Sequence, residues 1–191
     1  MNQSLMNDSE VAHLNSRMQN VALVEPSTKF AKPFLDMVNE FEQFGEDQYR
    51  TVRYMVEYNF SAYLARLIRQ SKDSEQRQQT VPLSTYWLVK DDSLLIGASK
   101  IHHRLTPRLR QYYGHISYHI RPTARQKGYG TYLLFLTLEK AKLMELKEVL
   151  LTCDAENIAS SRIIQKNGGV FQNETVIPTS GTTIQRYRIA L

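Results

Sequence analysis

Residues 125–130 read R-Q-K-G-Y-G, between a strand-like Y-Y-G-H-I-S-Y-H-I (112–120) and a helix-like T-Y-L-L-F-L-T-L-E-K-A (131–141). Two glycines and two cations at a strand-to-helix junction suit an anion. The first turn of a helix leaves about four N–H groups unpaired, and the helix dipole favours negative charge there. Gly128 and Gly130 let an anion approach the backbone without meeting a Cβ atom, and Arg125 and Lys127 add charge. The dinucleotide pattern G-x-G-x-x-G needs a third glycine where this chain has Leu133, and the NTPase pattern G-x-x-x-x-G-K-[ST] is absent. On these residues alone, a phosphate cradle and an ordinary basic turn both remain open.

Outward from the loop, the chain alternates between two periodicities. T-Y-W-L-V-K (85–90) and L-L-I-G-A-S-K-I-H (94–102) flank D-D-S and predict a β-hairpin. Tyr112 to Ile120 continues as a third strand, with Ile116, Tyr118 and Ile120 alternating. A helix is expected over 130–146, then E-V-L-L-T-C (148–153) as a strand buried on both faces. A helix over 157–167 should stop at Gly168-Gly169, and closing strands follow at 170–171 and 182–189. Before the hairpin, 21–25 reads as a short strand. Ser27 or Thr28 offers a helix N-cap, and apolar residues at helical spacing predict helices over about 30–41 and 47–70. Residues 71–80 hold no apolar side chain and read as an exposed loop. The fold class is α+β, one domain over 21–191, with 1–20 a flexible or loosely docked extension.

At 191 residues the chain has room for one core, and 42% hydrophobic and 23% charged residues are ordinary for a globular protein. No run reaches the roughly 20 apolar residues of a membrane span, and the first twenty residues lack a signal-peptide core. The single Cys153 excludes an internal disulfide and fits a reducing compartment, so the cytoplasm is the expected location. The net charge of +5 suits an anionic ligand. Nucleic acid is disfavoured because no helix carries a continuous basic face with interleaved aromatics.

The spacing [Arg/Gln]-x-x-Gly-x-[Gly/Ala], after a strand and opening a helix, resembles the acyl-CoA signature of the GNAT superfamily of N-acetyltransferases. H-I-R-P-T-A-R-Q-K-G-Y-G-T-Y-L-L resembles that superfamily's strand–loop–helix block. L-L-T-C-D-A-E-N-I-A-S-S-R-I-I-Q-K-N-G-G resembles its next strand and the helix with an N-x-x-S motif. The resemblance spans about 21–190 and is nearest to a bacterial branch. It implies a mixed, largely antiparallel central sheet flanked by helices, and acetyl-CoA as co-substrate. Backbone N–H groups of Gln126, Lys127, Gly128, Tyr129 and Gly130 would hold the pyrophosphate beside Arg125. Tyr118 and Ile120 would offer main-chain groups to the pantetheine arm, a strand amide near Ile120 would polarise the thioester carbonyl, and Asn157 would hydrogen-bond the arm. It also implies, by analogy alone, a homodimer.

One departure stands out. Many family members place a tyrosine seven residues after this asparagine, to protonate the departing thiolate. Here that position is Ile164, and Ser160 is the nearest hydroxyl. The loss is tolerable: a thiol of pKa near 8.5 costs only about 2 kcal/mol to leave ionised at pH 7, whereas an amine of pKa near 10.4 costs about 4–5 kcal/mol to deprotonate. The base is therefore the larger need. Histidine titrates nearest neutrality, so His119 and His115 lead, with His103 and Glu25 behind. A strand bulge, frequent in the family, would change which of them face together. No metal site is expected, because adjacent His102 and His103 point to opposite faces. Cys153 reads as a core residue, which favours direct attack by the amine. The expectation is transfer of acetyl to a primary amine of a small molecule or peptide. The alternative is a CoA-binding sensor without catalysis.

Overall fold

The computed structural model describes residues 8–72 and 81–191. Among these lie helices α1 (Asp8–Arg17), α2 (Ala31–Gln43), α3 (Arg50–Ser71), α4 (Tyr129–Leu143) and α5 (Ile158–Lys166). The strands are β1 (Val21–Val24), β2 (Leu83–Lys90), β3 (Leu94–His102), β4 (Ile116–Ile120), β5 (Glu148–Asp154), β6 (Val170–Val176) and β7 (Thr183–Ala190). The expected order of elements is present, and the loop expected at 71–80 falls, from 73 on, outside the described residues.

The sheet is split. Strands β1-β2-β3-β4 form one antiparallel sheet and β5-β7-β6 another. β2 is covered on both faces, which is why its inner residues are all buried. Trp87 and Val89 pack under α2 and α3 with Phe34, Phe41 and Tyr63, while Tyr86 packs on the other side with Leu134 and Leu138 of α4. β5 is less enclosed than its apolar run suggests. Only the alternate residues Val149, Leu151 and Cys153 are buried, because they face the core with Leu134, Leu138 and Ile164 while the opposite face is only partly covered.

Three local differences from the sequence reading matter for function. α1 is a formed helix, and Met18 after it is 5% exposed in a core cluster with Leu88, Ile96 and Tyr132. Packing therefore crosses the expected boundary at residue 20. α3 is interrupted at Asn59, whose backbone is non-helical and whose side chain caps the second segment by accepting the Ala62 N–H at 2.9 Å. β4 is shorter than expected, because Leu109–Tyr113 forms a π-helical turn before it.

Candidate active site

β4 and β5 meet at one end and part at the other. At the join, the Gly114 Cα lies so close to Leu150 that an added Cβ would stand 2.3 Å from its carbonyl oxygen, and Gly114 has φ 71, ψ −167. Only glycine adopts that backbone readily. Beside it the His115 N–H donates to the Leu150 carbonyl at 2.7 Å, and the Leu150 N–H donates back to His115 Nδ1 at 2.9 Å. Burial pushes the His115 imidazole down to about 4. His115 is thus a neutral pin between the two sheets, with one ring nitrogen already accepting a backbone proton.

Beyond the pin the chains diverge around a cleft of about 480 Å³, lined among others by Ser117, Tyr118, His119, Cys153, Asn157 and Ser160. β4 pairs with β3 without a register shift from Ile116 to Ile120, so the anticipated bulge is absent there. Arg121 N–H donates to Ile96 across β3 at 2.8 Å. Alternation therefore turns the main-chain groups of Ile120 and Tyr118 toward the open edge. Ser117 and His119 share the face toward α2 and α3, Tyr118 takes the opposite one, and all three border the cleft.

At the divergent end lies the 125–130 loop. Gly128 has φ 87 and caps α4 in the left-handed region, a turn that aims successive N–H groups outward. Among the described residues, the amides of Gln126 to Gly130 meet no acceptor. Gly130 allows α5 to approach: a Cβ there would stand 2.6 Å from Ile163 Cδ1. These features fit a bound diphosphate. The Arg125 charge is directed elsewhere. Its guanidinium makes two bonds to Glu46 at 2.6 and 2.8 Å and a third to the Ile120 carbonyl at 3.1 Å. Lys127 Nζ donates to the Thr123 carbonyl at 2.7 Å.

The loop is tied down by a network not anticipated from the sequence. Arg121 donates through Nε to Glu40 Oε2 at 2.7 Å and also through Nη2, while Glu40 Oε1 accepts both the Thr123 N–H and its hydroxyl at 2.8 Å. Burial pushes the Glu40 carboxyl up, but the bonds from Arg121 and Thr123 outweigh it and hold the group below its usual value. A glutamate on the inward side of an amphipathic helix, at a position where apolar residues dominate, is the one signal that could have flagged it.

The candidate side chains fall into distinct places. His119 is solvent-exposed, edge-on to the rings of Tyr49 at 5.8 Å and Phe41 at 6.5 Å. Desolvation in this concave corner, with help from Lys100, pushes its pKa down, against the opposing pull of Glu46. His103 is bonded to Ser84 Oγ at 2.8 Å, whereas His102 lines the cleft. Glu25 lies apart, at a small cavity with Leu67 and Thr85. Asn157 caps α5 by accepting the Ser160 N–H at 2.9 Å, and Ser160 Oγ stands 2.7 Å from Tyr118 Oη. Ile164 is fully buried in the core. Cys153 is 7% exposed and burial raises its thiol to about 11, so it stays protonated. Among the described residues no group of three His, Cys, Asp or Glu side chains could hold a metal ion.

The model of the GNAT acetyltransferase domain matches residues 34–170, most of the chain and all of the cleft-forming elements. The chain belongs to the GNAT acetyltransferase family. It is accordingly an acyltransferase that uses acetyl-CoA, an activated thioester of the acetyl group, as co-substrate. Among solved structures, the GNAT chain resembles RimL, a ribosomal L7/L12 alpha-N-protein acetyltransferase in complex with coenzyme A. The TM-score is 0.65 at 12% identity over 91% of this chain and 95% of that one. It also resembles the microcin C7 self-immunity acetyltransferase MccE in complex with acetyl-CoA and AMP, at TM-score 0.59 and 14% identity over 93% and 94%. A third is a chimera of the spermidine N-acetyltransferase SpeG from Vibrio cholerae and hSSAT, at 0.59 and 13% over 90% and 96%. At these identities the likeness is one of fold. No curated protein sequence matches. Among the described residues no helix is long and apolar enough to cross a membrane.

Proposed function

We propose that this GNAT protein transfers acetyl from acetyl-CoA to a primary amine by direct attack, with His119 as the general base. The observation that carries this reading is the place of His119: solvent-exposed, on the face toward α2 and α3, and next to the open edge of β4. Its lowered pKa leaves the imidazole neutral at pH 7, ready to take the proton of an incoming ammonium. The neighbouring Glu46 carboxylate then stabilises the imidazolium that forms.

The remaining roles follow from placement. The amides of Gln126 to Gly130 hold the pyrophosphate, with Arg125 and Lys127 bracing the loop. Main-chain groups of Tyr118 and Ile120 orient the pantetheine arm, and Asn157 fixes the start of α5 against it. The Ile120 amide supports the thioester carbonyl, where negative charge develops. Ser160 Oγ and Tyr118 Oη, already hydrogen-bonded to each other, can return a proton to the leaving thiolate. A protonated Cys153 supports direct attack over an acetylated-cysteine route.

Thiol release from acetyl-CoA across a panel of amines tests the reading. Turnover with at least one primary amine, lowered about 10²- to 10⁴-fold in His119→Gln, is expected. Tight CoA binding with no turnover on any amine overturns it in favour of a CoA sensor.

A further inference from the structure

The face of the sheet that carries His119 also carries a cation, Lys100, that forms no ion pair among the described residues. The register puts Thr85, Lys100 and Ser117 in one cross-strand row and Trp87, Ala98 and His119 in the next. Strand side chains alternate, so all six point to one side. Trp87 and Ala98 mark that side as the one packed under α2 and α3. Ser117, next to Lys100 in its row, opens into the cleft.

Lys100 is half-buried. Its charged and titratable neighbours are Arg66, His102 and His119, all cationic or neutral. Of the nearby carboxylates, Glu40 is engaged by Arg121 and Thr123, and Glu46 by Arg125 and Gln48, while Glu25 lines a small cavity with Thr85 and sets its charge against Tyr86, which packs on the opposite face. Thr85 Oγ1, across the strand from Lys100 in a residue 7% exposed, has no hydrogen-bond partner. The break at Asn59 lies between Met55 and Arg66, whose Nη1 reaches Met55 Sδ at 3.1 Å, and the Arg66 charge bears on Lys100. A half-buried ammonium costs stability unless something pairs with it. Here the fold brings a second cation and an unmatched hydroxyl to the same place, and among the described residues no carboxylate forms an ion pair with either cation.

We propose that Lys100, with Arg66 and the Thr85 hydroxyl, binds an anionic group of the acceptor, so that the substrates are small amines that also carry a carboxylate or phosphate. The inference rests on His119 marking where the amine reacts. Diagonal positions on a sheet lie about 7–8 Å apart, so amine and anion are separated by only a few bonds. A polyamine, by contrast, would place a second cation against Lys100 and Arg66.

Matched acceptors test this: an amino acid with its carboxylate free, the same molecule with the carboxylate capped as an amide, an aminoalkyl phosphate, and a diamine. One charge-assisted contact predicts a kcat/KM ratio of roughly ten- to a hundredfold for the anionic over the capped amine. The ratio should fall to near one in Lys100→Gln and invert in Lys100→Glu. The carboxylate and phosphate arms tell which anion fits better. A wild-type ratio of one, or a ratio unchanged in Lys100→Gln, overturns the inference while leaving amine acetylation intact. A turnover-independent arm titrates inorganic phosphate into CoA-loaded protein. Millimolar binding weakened at least tenfold by Lys100→Gln is expected, and absence of binding overturns the subsite whatever the amines do.

Discussion

Tyr118 of β4 and Ser160 of α5 reach toward each other across the cleft, hydroxyl to hydroxyl at 2.7 Å. Burial raises the Tyr118 pKa, so the phenol stays protonated through the neutral range. The pair stands on the cleft wall, while Ile164, where the family pattern expects the phenol, is sealed in the core. Leaving a thiolate unprotonated at pH 7 costs only about 2 kcal/mol, which caps the benefit of an acid at about thirtyfold in kcat. Tyr118→Phe and Ser160→Ala should each lower kcat within that limit, and the double variant should lose no more than the worse single one. Steady-state thiol release checks this, and a thousandfold loss would exclude a simple proton-donor role.

With His119 as the proposed base, His119→Gln removes the larger requirement, and kcat/KM should fall about 10²- to 10⁴-fold. The base works only when neutral, and its folded pKa lies below 6.5. Activity should therefore hold as pH drops from 7 toward 6.5 and decline only below it. A pH profile of kcat/KM for wild type, corrected for ionisation of the amine, reads this limb. A midpoint above 6.5 would contradict the assignment.

His115 predicts a different pH effect, on stability. Folded, it takes up a proton near pH 4, and unfolded near 6.5, chiefly because the pin is desolvated. Between those values the unfolded chain binds the proton and the folded chain does not. The contribution is fully present above pH 6.5 and is lost as pH falls to about 4, up to about 3 kcal/mol. Urea unfolding at intervals through that window should show the slope, and His115→Asn should flatten it.

Glu40→Gln leaves the guanidinium of Arg121, 13% exposed, without its carboxylate. Breaking a buried pair from one side costs about 3–5 kcal/mol. Because the same carboxylate holds Thr123, five residues before Gly128, CoA affinity should fall as well. Denaturation and CoA titration measure the two losses, and an unchanged affinity would mean that the loop is positioned without this network.

Gly114→Ala forces a Cβ against the Leu150 carbonyl in a backbone region closed to alanine. A loss of more than about 2 kcal/mol in unfolding free energy is expected. Gly45→Ala is the comparison, since its φ of 74 is also positive but nothing lies within 4 Å of the added Cβ. It should cost less, because no clash is added.

The elements and the two-glycine turn at 125–130 are legible in the residues alone. Alternation in 85–102, helical spacing in 131–141 and the two glycines at 128 and 130 are local properties. The chemistry they imply, a strand feeding a helix N-terminus with bare amides, follows from near neighbours in the chain. Relations between distant residues come from packing instead. Arg125 looks like a phosphate contact until Glu46, 79 residues away, claims its guanidinium. His115 and His119 read alike as strand histidines. One is pinned to Leu150 across the sheet break, while the other faces open space beneath Tyr49. Even the extension before residue 20 read as loose because a single buried Met18 is too weak a period to detect. Periodicity reports which face of an element is apolar. It is silent on what a polar side chain meets there, because that partner is supplied by packing.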